Sequence, residues 1–362
     1  MEPVGVPKSM TTQRHNKERG SVVITGGAGF IGAALGRALV GAGREVMALD
    51  DLSAGSAARL YDSGVELVVG DAADRRDVRD LLRRERPVET WVHLAGRVGV
   101  GLVLGDPDGC LEDGRAAHET LLAVLARLPV ERRPRVFSAS SSEVYCDNGL
   151  PVGEDAPLRT EAAGRWAYAA AKLAGEDMLD LEAFLWPAER APVHLRFFNV
   201  VGPGQDSRWG MVLPTFVECA LAGAALPVHG SGDDVRVFAH VDSVARTLAV
   251  LCEHPSLPGG PLNIGSGSAN ARCTVAELAQ TVAEHHAQQR GQRPAIVHSD
   301  PCSVWGPSFK AVHHREPDLT RLSALGVPVP ADDLDFIVAD TLARHGALRA
   351  RVEADPCASR GS

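Results

Sequence analysis

The sequence predicts an α/β protein, a doubly wound parallel sheet covered on both faces, followed by a smaller C-terminal lobe. Three observations predict it. Short β-branched runs alternate with longer helical patterns from Ser21 to Asn199, the pattern of strands joined by right-handed helical crossovers. The order degrades after Asn199, where Pro, Gly and short single elements dominate to about Pro330. The length of 362 residues exceeds one average domain of about 150 residues.

The elements follow in order. Val22-Val23-Ile24 is the first strand, and a helix runs from about Phe30 to Val40. Glu45–Leu49 and Val65–Val69 read as the second and third strands, Asp77–Arg84 as a helix and Thr90–Leu94 as the fourth strand. A helix around Leu111–Arg127 leads to the fifth strand at Arg135–Ser138. A helix at about Arg165–Trp186 leads to the sixth at Val193–Phe197. The expected organisation is a disordered lead-in over 1–20 and a first domain over 21–200, to which 236–255 returns. A second lobe takes 201–235 and 256–345, and a loose tail takes 346–362.

Composition narrows the function. Charged residues at 23% and hydrophobic ones at 45% are the balance of an ordinary globular chain. Lys and Arg total 37 against 46 Asp and Glu, a net charge of −9, which gives nucleic acid or an anionic membrane no electrostatic attraction. Any bound anion must therefore be held by a local site. The seven Cys are dispersed with no CxxC pair, so no metal site is expected and the thiols read as reduced and cytoplasmic. The polar first twenty residues lack the apolar core of a signal peptide, and no stretch is apolar enough to span a membrane.

Gly26, Gly29 and Gly32 stand in a G-x-x-G-x-x-G turn between the first strand and first helix. Without side chains there, backbone N–H groups and the helix N-terminus can approach a pyrophosphate. Asp50 ends the second strand eighteen residues after Gly32, where a carboxylate accepts from adenosine ribose hydroxyls and repels a 2′-phosphate. With Asp51 beside it, the pair favours NAD over NADP. The alternative for Asp50 is a turn cap. Asp71, at the end of the third strand, is either an adenine contact or a plain loop carboxylate. Together these make the sheet Rossmann-like.

Tyr168 and Lys172 lie four apart on one helical face. With three Tyr and four Lys in the chain, the coincidence is rare. A neighbouring ammonium and a nicotinamide cation favour phenolate, and moving a phenol from about 10 toward neutrality takes about 4 kcal/mol of differential stabilisation. The product is a general base that removes a hydroxyl proton while the adjacent carbon gives hydride to NAD. Ser138-Ala139-Ser140-Ser141-Ser142-Glu143 follows the fifth strand at the carboxyl edge, where ligands of such sheets bind. Its hydroxyls can hold a sugar hydroxyl and the Tyr168 oxygen. Glu143 reads equally as a second acid or base and as a local turn partner.

The set Thr25–Gly32, Asp50, His93-Leu94-Ala95-Gly96, Ser141 and Tyr168…Lys172 resembles an extended short-chain dehydrogenase/reductase. Leu195–Asn199, Gly202-Pro203-Gly204-Gln205, Gly230–Arg236, Val241-Asp242, Asn263–Gly267 and Arg315–Asp318 make it similar to the nucleotide-sugar epimerase/dehydratase branch from about 21 to 330. The resemblance implies retained NAD, a nucleoside-diphosphate sugar substrate, and a homodimer through helices at about 111–127 and 165–186. It implies that Gly26, Gly29, Phe30, Ile31, Asp50, Asp51, Ser53, Gly55, Asp71, Ala72, Leu94, Ala95, Gly96, Tyr168 and Lys172 contact the cofactor. Tyr168, Lys172, Ser141 and Glu143 would be catalytic; Ser141, Ser142, Asn199, Arg236 and Arg315 would meet the substrate, the last three at its diphosphate.

The branch shares oxidation at C4 and then diverges. Dehydratases of the dTDP-glucose type place Asp-Glu where this chain has Ser142-Glu143, and uronate decarboxylases use Ser-Glu. The decarboxylase spellings Y-D-E-G-K and G-P-R-M differ from Tyr168-Ala169-Ala170-Ala171-Lys172 and Gly202-Pro203-Gly204-Gln205, which are closer to epimerases. The expectation is a 4-epimerase for a UDP-hexose or UDP-uronate. The alternatives are a UDP-glucuronate-type decarboxylase, a 4,6-dehydratase, or a non-catalytic NAD-binding module that has kept its Tyr–Lys pair. Cys146 replaces the family's usual Gly, and Ala116 stands at the position expected for an Asn.

Overall fold

The computed structural model describes residues 19–147, 149, 151–208, 210–306 and 311–355. Seven parallel strands form the central sheet: β1 Ser21–Thr25, β2 Val46–Asp50, β3 Glu66–Val69, β4 Val88–His93, β5 Arg135–Ser141, β6 Val193–Phe197 and β7 Gly260–Ile264. Their spatial order is β7-β6-β5-β4-β1-β2-β3. Chain direction across the sheet reverses between β1 and β4, and the crevice at such a switch point is where open α/β sheets bind ligands.

The expected run of six strands thus gains a seventh. The segment assigned to the second lobe at 256–345 sends Gly260–Ile264 back to pair with β6, Asn263 opposite Arg196. The signal was one short stretch, Gly260-Pro261-Leu262-Asn263-Ile264, with only Leu262 and Ile264 as alternating apolar positions, too short to separate from loop by pattern alone.

Helices α1 Phe30–Gly41 and α2 Arg75–Leu82, then α3 Pro107–Leu125 and α4 Ala167–Leu181, cover the sheet. One face buries Val22, Ile24, Leu35, Leu39, Val92 and Leu195 against α1 and the returning helix α6 Val241–Glu253; α5 is Val212–Leu221. The other face buries Val23, Met47, Leu49, Trp91, Leu121 and Leu125. Each such side chain contributes about 1.5–3 kcal/mol relative to exposure.

The second lobe has its own core. Helices α5, α7 Val275–Arg290 and α8 Leu334–Glu353 enclose Leu213, Phe216, Val217, Leu278, Val282, Ile337 and Val338. A short antiparallel pair, Val235–Val237 with Arg272–Thr274, is extended by His314–Arg315. Helix α7 starts in a capping box between Thr274 and Glu277 and ends at the left-handed Gly291, so both ends have their orphan backbone groups satisfied locally.

The expected loose tail is helical to Glu353, and Asp355 is buried beyond it. Leu334, Ile337, Val338 and Leu342, earlier in the same helix, fill the second core, and the segment after 346 is held by Arg349 on Asp206 at 3.3 Å and by Asp355, which accepts from Ser56 Oγ at 2.8 Å. The expected lead-in falls on residues 1–18, outside the described residues, while Gly20 is already buried against Pro87 and Glu89.

Candidate active site

The glycine turn closes on itself before α1 begins. Gly26 has φ 66°, and a Cβ there would stand 2.8 Å from the Ala95 nitrogen. A Cβ on Gly32 would stand 2.3 Å from the Gly26 carbonyl oxygen. Neither position accepts a side chain. Gly29 is the α1 N-cap and offers no side-chain acceptor, and the first turn carries no acid. The helix N-terminus is therefore left for an anion supplied from outside.

Asp50 is buried at the end of β2. One carboxylate oxygen accepts from Ala28 N at 2.9 Å and the other from Leu52 N at 2.9 Å. Burial raises its pKa against those two hydrogen bonds. These two bonds are those of a turn cap, made at the carboxyl end of β2 beside the glycine turn. Asp51 is exposed and holds Ser53 through the N–H and hydroxyl, at 2.9 and 2.7 Å. Gly55 lies so near Asp50 that a Cβ would meet its Oδ1 at 2.6 Å. Asp71 is exposed and accepts from Ala73 N at 2.7 Å, a turn contact of the plainer kind expected for it. Ala72 is buried in the core beside it. Phe30 and Ile31 open α1 half-buried against the sheet core. Leu94 N donates to Thr25 O at 3.0 Å and Ala95 N to Thr25 Oγ1 at 3.3 Å. The turn, the Asp50 carboxylate and the Leu94-Ala95-Gly96 edge thus line one crevice, and their chemistry fits an adenine dinucleotide.

Tyr168 and Lys172 sit on the first turns of α4, deep in the crevice, with Lys172 Nζ 5.7 Å from the Tyr168 ring centroid. Gly96, at φ 150°, clears the approach, since a Cβ there would be 3.3 Å from Lys172 Nζ. Burial lowers the Lys172 ammonium to about 8. Burial and the Glu143 carboxylate hold the Tyr168 phenol above its ordinary value, opposed by a hydrogen bond with Ser141 and by Arg315. The expected depression of the phenol is thus not built into the protein's own charges. Lys172 is not among its main perturbers, and the desolvation cost dominates.

Glu143 lies between two guanidiniums. Arg315 donates at 3.0 Å and Arg165 at 3.2 and 3.3 Å. Burial penalises its charge, yet the two arginines lower its pKa overall. The two arginines favour its carboxylate form, which suits a base or a local partner better than an acid. Ser141 Oγ accepts from Glu143 N at 3.2 Å, and Ser142 is buried beside it. Arg236 donates to the carbonyls of Val235 and Val312 at 2.8 and 2.7 Å, and burial lowers its pKa to about 10 with Arg315 adding repulsion. Asn199, at φ 38°, ties the carbonyls of Val237 and Arg315 at 3.0 and 3.5 Å. In this structure Asn199 positions Arg315.

Two partners escaped the sequence reading. Arg165 lies three residues before Tyr168, on the same turn-in to α4, and its offset was the available signal. His118 packs edge-on to His93 at 4.6 Å between ring centroids, and bonds Ser138 Oγ at 2.9 Å. Gly175 leaves room for its ring, and burial lowers His118 to about 4. Neither contact has a sequence signature, because the helices and strands that meet are far apart in the chain. Ala116, where an Asn was expected, lies two residues before it on α3.

The comparisons agree with this geometry. A UDP-glucose 4-epimerase of Mycolicibacterium smegmatis is 33% identical over 253 residues, 68% of this chain and 77% of that one. A UDP-N-acetyl-alpha-D-glucosaminuronate decarboxylase of Bacillus cytotoxicus is 28% identical over 310 residues, 84% and 90% of the two chains. The structure of the Thermus thermophilus UDP-glucose 4-epimerase in complex with NAD is similar at a TM-score of 0.74 and 25% identity, over 90% of this chain and 99% of that one. The model of the NAD dependent epimerase/dehydratase family matches residues 22–265, and the chain belongs to that NAD-dependent enzyme family.

Proposed function

We propose that the protein is a nucleotide-sugar 4-epimerase acting on a UDP-hexose or UDP-uronate. The observation that carries it is the half-buried Tyr168 hydrogen-bonded to the buried Ser141 and beside Lys172, at the edge where the glycine turn opens. NAD, when bound, supplies a hydride acceptor and a positively charged ring. Tyr168 takes the proton of the sugar 4-hydroxyl, Ser141 orients that hydroxyl, and Lys172 holds the neighbouring ribose. C4 would give hydride to the bound cofactor and, once the 4-keto sugar has turned over in the site, take it back on the opposite face, while Tyr168 returns the proton to the 4-oxygen. Arg315 and Arg236, set by Asn199 and the short sheet, hold the diphosphate, as guanidiniums suit phosphate oxygens.

Dehydration fits less well, since Glu143 is kept ionised by Arg165 and Arg315 and has no proton to give a leaving hydroxyl. Decarboxylation is the second reading. The same two guanidiniums beside the reacting edge suit a sugar carboxylate, and the Bacillus cytotoxicus relative is a decarboxylase. Incubation with UDP-glucose, UDP-N-acetylglucosamine and UDP-glucuronate, read by mass and NMR, separates them. An isobaric C4 isomer is expected; loss of carbon dioxide moves the assignment to the second reading. Absence of any product and of transient NADH absorbance leaves the binding-module alternative. The same reading places the enzyme in the cytoplasm as a homodimer through α3 and α4. Leu181 and Phe184 are exposed at the α4 end, and sedentation of the Phe184→Asp variant as a monomer is the expected check.

A further inference from the structure

The segment that follows Asp50 is tied to two places outside the sheet. Ser56 N donates to Ala28 O in the glycine turn at 3.1 Å, so the loop and the turn move together. At its other side, Asp355 Oδ2 accepts from Ser56 Oγ at 2.8 Å and from Ala58 N at 3.0 Å. Both Ser56 and Asp355 are buried. Arg59, on the same single turn Ala57–Leu60, donates to Gly204 O at 2.7 Å. That carbonyl belongs to Gly202-Pro203-Gly204-Gln205, a motif with no other task in the site. Helix α8 grips the motif from behind, since His345 lies 3.3 Å from Gly204 N and Arg349 pairs with Asp206 at 3.3 Å. The helix is also fixed to α5 through His345 and Glu218 at 3.1 Å.

We propose that α8 is a brace on the cofactor loop, with Asp355 as the positioning residue that holds 50–60 in the shape that binds the adenosine end of NAD. A single carboxylate oxygen takes both bonds and anchors the loop through a helix rooted in the second lobe's core. This assignment rests on the placement of the adenosine at Asp50, which the experiment tests separately.

NAD binding to protein stripped of cofactor is measured by calorimetry for the wild type and for Asp355→Ala, Asp355→Asn, Ser56→Ala and Asp50→Ala. Two hydrogen bonds to a carboxylate, one from a hydroxyl, set the scale, and Asp355→Ala is expected to weaken NAD about tenfold. Asp355→Asn keeps an oxygen for both donors and should stay within about threefold of the wild type. Ser56→Ala removes one donor and should fall between them. At saturating NAD, kcat and the sugar-nucleotide KM of these three variants should match the wild type, and a role confined to general stability would not separate the constants this way. The brace is refuted if Asp50→Ala weakens NAD while Asp355→Ala and Ser56→Ala leave it within twofold of the wild type. If Asp50→Ala leaves NAD affinity intact, the adenosine placement itself fails. Should Asp355→Ala not fold, Ser56→Ala and Asp355→Asn decide by the same ordering.

Discussion

Under the proposed function, the two halves of the crevice would hold anions by opposite means. On the β1–α1 side the anion's place is made by what is missing: four glycines, a helix with no side-chain cap and packed backbone, within seven consecutive residues from Gly26 to Gly32. On the opposite side it is made by long charged side chains, Arg165, Arg236 and Arg315, drawn from three separate segments around Glu143. A protein of net charge −9 can use either device, because neither depends on overall charge. The first is intolerant of added atoms. The second is adjustable, and every guanidinium in it needs a partner when the substrate is away.

The contrast can be broken in four places. Tyr168→Phe removes the base that both sides serve; kcat should fall about a thousandfold, with NAD affinity and sugar-nucleotide binding unchanged in calorimetry. Gly32→Ala forces a Cβ against the Gly26 carbonyl; NAD affinity should drop about a hundredfold, by a packing clash of a few kcal/mol, and the purified protein should carry no NAD absorbance. A Gly32→Ala protein that keeps its NAD would mean that the turn is not the cofactor's cradle.

Acid stability belongs to the NAD side. His118 is held neutral, its pKa at about 4 against an ordinary 6.5, because burial penalises the charge. Between those values the unfolded chain binds the proton and the folded one does not, so stability falls as pH drops from 6.5 to 4, by about 3 kcal/mol at most. His118→Gln should flatten that limb in urea titrations at successive pH values, leaving the part due to His93, also pushed down by burial. The smallest effect is on the arginine side. Arg315→Ala should raise the sugar-nucleotide KM about tenfold and leave NAD affinity within twofold. A fall in NAD affinity of the same size would erase the distinction between the halves.

Legibility in the sequence follows the same division. The glycine turn, Asp50 and the Tyr168–Lys172 pair were readable because each is local: a spacing on one turn or one helix carries the chemistry. Glu143 had two readings because its state depends on Arg165 and Arg315, and Arg315 lies 172 residues away. Asn199 was expected at the diphosphate, but its amide is occupied by Val237 and Arg315 carbonyls, contacts set by how a small sheet folds and not by any spacing. The tail was misjudged for a related reason. Leu348, Arg349 and Asp355 meet Gly204, Asp206 and Ser56, all far away in the chain, so its pattern has meaning only once those segments are in place. Strand β7 was missed because five residues between turns carry little periodicity of their own.

That strand also sets the order in which the molecule can be made. β6 has one edge on β5 and the other on β7, and all of α5 and α6 is synthesised in between. Until β7 arrives, a parallel strand that is buried in the finished sheet stands with an open edge, the kind of surface that recruits other chains. The pairing is long-range and therefore slow to close. Cutting the chain near 255 to isolate the NAD-binding half would leave that edge permanently bare, so the half should aggregate instead of folding as a unit. The substrate lobe is in this sense an insertion that the sheet must wait for.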